Sequence, residues 1–115
     1  MKGGGVVAVL AIILAVAVQR GEAVSCGQVD AALVPCAEFL TGRAAEAGRA
    51  CCDGVRAVKG MAVTPADKRA ACICIKNAAN GFSGLDDSAA QSLPGKCGVT
   101  LDIPVSRTVN CDRIA

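Results

Sequence analysis

Apolar and polar positions divide the chain into two unequal parts. After the basic residue Lys2, an unbroken apolar run extends from Val6 to Val18. Thirteen residues are too few for a membrane span, which needs roughly 20. Gln19 and Arg20 end the run, and the small residues Gly21 and Ala23 follow. A basic start, a short apolar stretch and small residues at −3 and −1 predict a cleaved secretory leader. The expected boundary lies after Ala23, giving residues 1–23 as leader and 24–115 as one domain; a cut after Ala17 is the alternative. No second apolar run follows, and no C-terminal apolar tail announces a lipid anchor.

Beyond residue 24 the apolar positions fall into helical stripes. The first is Val29, Leu33, Cys36 and Leu40, spaced i, i+4, i+7, i+11 and ended by Thr41-Gly42. Pro35 lies inside it and predicts a kink, because proline lacks the N–H that the helix needs. A second stripe is Cys51, Val55, Val58 and Ala62, with Gly54 inside at a propensity cost of about 1 kcal/mol relative to Ala. The third helix has the clearest start. Thr64-Pro65-Ala66-Asp67 supplies a hydroxyl cap, a proline at the first helical position and an acidic residue three places after the cap. Its expected inner face is Ala71, Cys74, Ile75, Ala78 and Ala79, and Asn80-Gly81 closes it. A weaker fourth helix is expected from Asp86 to Ser92, stopped by Leu93-Pro94-Gly95. From Gly95 to Ala115 no helical period remains. Leu101, Ile103 and Val105 alternate there with Asp102, Pro104 and Ser106, which allows one apolar edge to lie on the helices. The expected fold class is therefore all-α with a long irregular tail.

Composition narrows the chemistry. The sequence holds 8 Cys and no His, Trp or Tyr, with Phe39 and Phe82 its two aromatic residues. The missing histidine removes Ser-His, Cys-His and His-metal sites. The net charge of +2 is too balanced for a nucleic-acid partner, and aromatic stacking platforms are missing. No acid pair stands out for acid-base catalysis: Asp86-Asp87 is explained by helix capping. No catalytic residue, metal or cofactor is expected. Lys68 and Arg69 sit on the first turn of the third helix, the wrong end for the helix dipole. They read either as a solvated face or as a cationic grip on an anionic head group.

All cysteines lie in the 24–115 segment, at about 9% of it, a density typical of disulfide scaffolds. Their pattern is C-x9-C-x14-CC-x19-C-x-C-x22-C-x13-C. An even count in a secreted chain implies four bridges, and eight cysteines allow 105 pairings. Zinc is disfavoured by the absence of His and of any C-x2-C pair. Cys51 and Cys52 do not suit each other, since adjacent Cα atoms lie about 3.8 Å apart and a relaxed bridge needs more. Cys72 and Cys74 point about 200° apart around a helix and so must reach different parts of the chain. The expected inner faces carry mostly Ala, Val and Cys. Four cross-links, each stabilising by roughly 2–4 kcal/mol, let such a shell keep an underfilled apolar interior. A dry core of small residues is the other outcome.

The cysteine spacing resembles that of the plant non-specific lipid-transfer proteins of type 1, over the whole of 24–111. Matching strings are Val24-Ser25-Cys26-Gly27-Gln28-Val29, Cys51-Cys52-Asp53-Gly54-Val55-Arg56, Lys76-Asn77-Ala78-Ala79 and Pro94-Gly95-Lys96-Cys97-Gly98-Val99. The first family pentapeptide, Thr/Ser-x-x-Asp-Arg/Lys, stands as Thr64-Pro65-Ala66-Asp67-Lys68. The resemblance implies a right-handed four-helix bundle around a lengthwise apolar tunnel, with the tail as one wall. It implies the pairing Cys26–Cys74, Cys36–Cys51, Cys52–Cys97 and Cys72–Cys111. It also implies a secreted monomer of the apoplast or cell wall that binds fatty acids, lysophospholipids and phospholipids. Such a carrier touches membranes transiently and moves lipids between them, in cutin or wax deposition or in plant defence. The lipid-contacting residues expected on this basis are Leu33, Val55, Val58, Lys68, Ala71, Ile75, Leu101, Ile103 and Val105, with Lys68 at the head group. Two departures stand out. The second pentapeptide, usually Pro-Tyr-x-Ile-Ser, reads Asp102-Ile103-Pro104-Val105-Ser106, so the tyrosine hydroxyl is lost. The residue inside C-x-C, usually polar in type 1, is Ile73, as is more typical of type 2, in which the two cysteines exchange partners. Related seed proteins sharing the CC and C-x-C core inhibit digestive hydrolases, which makes an amylase or protease inhibitor the competing expectation.

Overall fold

The computed structural model describes residues 24–114; the predicted leader, 1–23, lies outside them. Helix α1 spans Cys26–Leu33, a 3-10 turn covers Val34–Cys36, and α2 spans Ala37–Leu40. These three pieces form the first helix of the bundle, broken where Pro35 withholds its N–H. Thr41 ends it by donating its hydroxyl to the carbonyl of Ala37 at 2.9 Å, and Gly42 turns the chain at φ +76°. Helix α3 spans Arg49–Met61 and buries Cys51, Val55 and Val58 of the predicted stripe; Ala62, the last of it, is buried just past the helix end.

Helix α4, Pro65–Gly81, begins as its sequence predicts. Thr64 Oγ1 accepts from the backbone N–H of Asp67 at 3.1 Å, and the Asp67 carboxylate accepts from the Thr64 N–H at 3.3 Å. Helix α5 spans Asp87–Lys96, capped by the Asp86 carboxylate, which accepts from the Ala89 N–H at 3.1 Å. This helix does not stop at Ser92, as its proline and glycine predict, but continues through Leu93-Pro94-Gly95. Tertiary anchoring overrides propensity here. Leu93 is 1% exposed, Cys97 just beyond it is bridged to Cys52, and the last turn is tightened by bonds from the Cys97 N–H to the Leu93 and Pro94 carbonyls. The rest of the tail is irregular apart from a 3-10 turn at Cys111–Arg113.

Four bridges tie these elements together. Cys26–Cys74 joins the start of α1 to α4, and Cys36–Cys51 joins the kink to α3. Cys52–Cys97 joins α3 to the end of α5, and Cys72–Cys111 joins α4 to the tail. The adjacent cysteines 51 and 52 thus take separate partners, as do Cys72 and Cys74. Ile73 between the latter pair is half exposed, so it faces solvent and the pairing is that of type 1 despite its apolar side chain. The largest fully buried side chains are Leu93, Val29, Val55 and Val58, and among the described residues no buried side chain is polar or charged.

At one point in this core backbone packs against backbone. A Cβ at Gly54 of α3 would lie 1.8 Å from the carbonyl oxygen of Ala32 in α1. Glycine at this site is therefore a packing requirement, and its helix-propensity cost is secondary. Gly54→Ala is expected to lower Tm by about 4 °C or more, since overpacking costs about 1–3 kcal/mol. Gly60→Ala, at a site with nothing within 4 Å, is expected to raise Tm. Thermal unfolding followed by circular dichroism checks both; equal stabilisation by the two changes would show that α1 and α3 do not touch at Gly54.

Candidate functional site

An apolar cavity of about 320 Å³ lies between the first helix, α4 and the tail. Helix α4 supplies Ile75, Ala78 and Ala79, and Phe82 follows one turn on. These positions are spaced i, i+3, i+4, i+7, so they form one face of a helix. Alanine at two of them leaves the space that larger side chains would fill. The first helix contributes Leu33 and Leu40 to the opposite wall, and Val105 of the tail closes it from above. Ile75, Leu40, Ala79 and Val105 are the buried part of this lining. Asp30, Val34 and Gly81 are exposed and mark the mouth, with Phe82 and Leu85 half-buried on its rim.

Polar clasps hold the tail over this space. Arg107 donates from Nε to the Asp87 carboxylate and from Nη2 to the Leu85 carbonyl, both at 2.9 Å. Asn80 Nδ2 donates to the Arg107 carbonyl at 3.3 Å. At the other end of α4, Lys68 Nζ lies 3.6 Å from the carboxylate of Asp102, a residue held at φ +61°. Beyond Val105, a second hollow of about 370 Å³ opens between Gln91 of α5 and Pro104, Ser106 and Val109 of the tail.

Three of the nine expected contact residues, Leu33, Ile75 and Val105, line the main cavity. Six do not. Val55, Val58 and Ala71 are at most 1% exposed and are packed shut among α1, α3 and α4. Leu101 and Ile103 are buried in the core cluster, as the alternating tail pattern allows, but are not among the residues lining the cavity. Lys68 is engaged with Asp102 and lies about 10 Å along the helix from Ile75. Periodicity reports which face is buried. It does not separate a side chain that meets its neighbours from one that faces a void. Of the other eight lining residues, Ala78 and Ala79 stand on the expected inner face of α4, while Asp30, Val34, Leu40, Gly81, Phe82 and Leu85 are outside the expected contacts. Leu40 carried a signal in its stripe, and Phe82, one of two aromatic residues, carried one in its size. Asp30 carried none, since a carboxylate one position past Val29 reads as solvated surface.

Among the described residues no cluster of acidic or cysteine side chains could hold a metal ion. A model of the protease inhibitor/seed storage/LTP family matches residues 26–111. Non-specific lipid-transfer protein 1 of fennel, Foeniculum vulgare, is 55% identical over 92 residues, covering 80% of this chain and 100% of that protein. The chain belongs to the plant non-specific lipid-transfer proteins, type 1. Two solved structures of this family carry lipid. Barley non-specific lipid transfer protein 1 in complex with lysophosphatidylcholine matches with a TM-score of 0.74 at 34% identity, over 80% of this chain and 100% of that one. The wheat protein complexed with two molecules of phospholipid matches with a TM-score of 0.72 at 35% identity, over 79% and 100%.

The clasp at Arg107 is partly exposed, so its removal should cost little in global stability, at most about 1 kcal/mol. Local order should respond more strongly. Arg107→Ala is expected to speed amide exchange across residues 101–110 while leaving α3 and α4 protected. Hydrogen–deuterium exchange read by mass spectrometry makes the comparison, and unchanged exchange in the tail would mean that Arg107 does not fasten it.

Proposed function

We propose that this lipid-transfer protein family member holds the acyl chain of fatty acids, lysophospholipids and phospholipids in the cavity between α1, α4 and the tail, and carries it between membranes. The observation that supports this most directly is the cavity wall itself. Ten of its eleven residues are apolar or glycine, so a hydrocarbon chain gains burial there and loses no hydrogen bond. Leu33, Ile75 and Val105 touch the chain in this reading. The expected roles of Val55, Val58, Ala71, Leu101 and Ile103 become support for the walls.

No catalytic step is assigned: the protein binds and releases, and cycles between a membrane surface and water as a monomer. Residues 1–23 act as a secretory leader and the carrier works outside the cell. N-terminal sequencing of the secreted protein is expected to begin near Val24; a start at Met1 would overturn that placement. The hydrolase-inhibitor reading keeps some support from the breadth of the family that the matching model describes. Arg43 and Lys96, on exposed stretches, are the anchors it would use.

Apolar contact should dominate affinity. Each buried CH₂ contributes roughly 0.8 kcal/mol, whereas an exposed ion pair contributes about 0–1 kcal/mol. Ala78→Leu, which fills the cavity from the middle of its α4 wall, is expected to weaken fatty-acid binding at least tenfold with helicity intact. Lys68→Ala is expected to change it only a few-fold. Displacement of a fluorescent fatty acid measures both, with trypsin and amylase inhibition assayed alongside. Unchanged binding in Ala78→Leu would remove the cavity from the site, and hydrolase inhibition without lipid binding would reverse the assignment.

A further inference from the structure

The cavity mouth has a sign. Asp30 is the single charged residue among those lining the cavity, and it is exposed at the rim. Its carboxylate makes no ion pair and accepts no side-chain hydrogen bond among the described residues. The same rim includes Gly81, the last residue of α4. A helix of 17 residues ends there, the negative end of its macrodipole, although the Phe82 N–H caps the Ala79 carbonyl at 3.3 Å. Two independent sources of negative potential therefore meet where a head group would rest.

Arg107 and Lys68 are already paired. Arg107 reaches the rim at the Leu85 carbonyl, but Asp87 matches its charge at 2.9 Å. Lys68, which the family resemblance places at the head group, sits on the first turn of α4 and is taken up by Asp102. Asp102 stands where the second family pentapeptide usually begins with proline, so this pairing follows from the departure at 102–106.

We infer that Asp30 makes the mouth select by head-group charge, favouring lipids with a cationic group, such as a quaternary ammonium, over free carboxylates. The inference rests on the acyl-binding role of the cavity and adds which head groups that cavity takes. A carboxylate at the mouth meets like charge from Asp30 and from the end of α4. A trimethylammonium group there meets opposite charge from both and needs no hydrogen-bond donor from the protein. The acyl chain supplies affinity, and the rim supplies discrimination. Exposed charges act weakly, so the expected discrimination is modest, about three- to tenfold.

The test uses three ligands of one chain length, dodecyltrimethylammonium, dodecanol and dodecanoate, each below its micelle concentration. Displacement of a neutral fluorescent probe at pH 7.5 and low salt gives their affinities. The expected order is cation, alcohol, carboxylate. In Asp30→Asn the ratio of cation to carboxylate affinity is expected to fall three- to tenfold, with dodecanol unchanged, and raised salt should compress the ratio in the unaltered protein. A carboxylate that binds the unaltered protein as tightly as the alcohol would overturn the inference. So would a ratio that Asp30→Asn leaves unmoved, since the head group would then lie elsewhere. Failure of all three ligands to displace the probe would sink the acyl-binding role itself, a different result from binding without ranking.

Discussion

Cys72 and Cys74 leave α4 in different directions, and what they hold determines the rest of the molecule. One is bridged to Cys111 in the tail and the other to Cys26 at the start of α1. Helix α4 is thereby fixed between two neighbours by covalent bonds. A small domain normally keeps its helices together by filling the space between them with large side chains. Here the spacing is set by sulfur, and alanine at 78 and 79 suffices on the face between. By loop entropy the 48-residue separation of Cys26 and Cys74 alone stabilises by about 4 kcal/mol, a large part of what a small domain has. The cavity is the consequence: space that neighbouring side chains do not need to fill.

The interior is accordingly divided into a packed side and an open side. On the packed side, α1 and α3 approach until Gly54 meets the Ala32 carbonyl, and Val29, Val55 and Val58 exclude water completely. On the open side, the C-terminal half of α4 faces the kinked first helix across the cavity. The kink at Pro35 belongs to that geometry, because it lets Leu33 and Leu40 approach the space from different directions while Cys36 stays tied to α3. The tail lies over the cavity with its ends fastened and its middle apolar. Cys97 and Cys111 fix its ends, Arg107 and Asn80 clasp it near Val105, and Lys68 meets it at Asp102. Those polar contacts are partly exposed and individually weak, so the bridges and the apolar burial carry most of what holds the tail in place.

Much of this was determined by the sequence alone. The stripe from Cys51 to Ala62, the capping box at Thr64 and the proline kink follow from local rules of hydrogen bonding and periodicity, and each stands where its residues place it. The cysteine spacing, with its matching strings, implied the family and the four pairings. The tertiary structure decided what lies between the buried faces. Leu93 and the Cys52–Cys97 bridge carry α5 through a proline and a glycine that local propensity reads as a stop. The choice between Val55, sealed in the core, and Ala78, facing open space, depends on which residues of other elements stand opposite, and no periodicity along one helix contains that information. Asp30 reaches the mouth for the same reason. It is one polar residue among many on α1 until the end of α4 is bridged into place beside it, because burial is a property of a helix face and a cavity is a property of the distance between two.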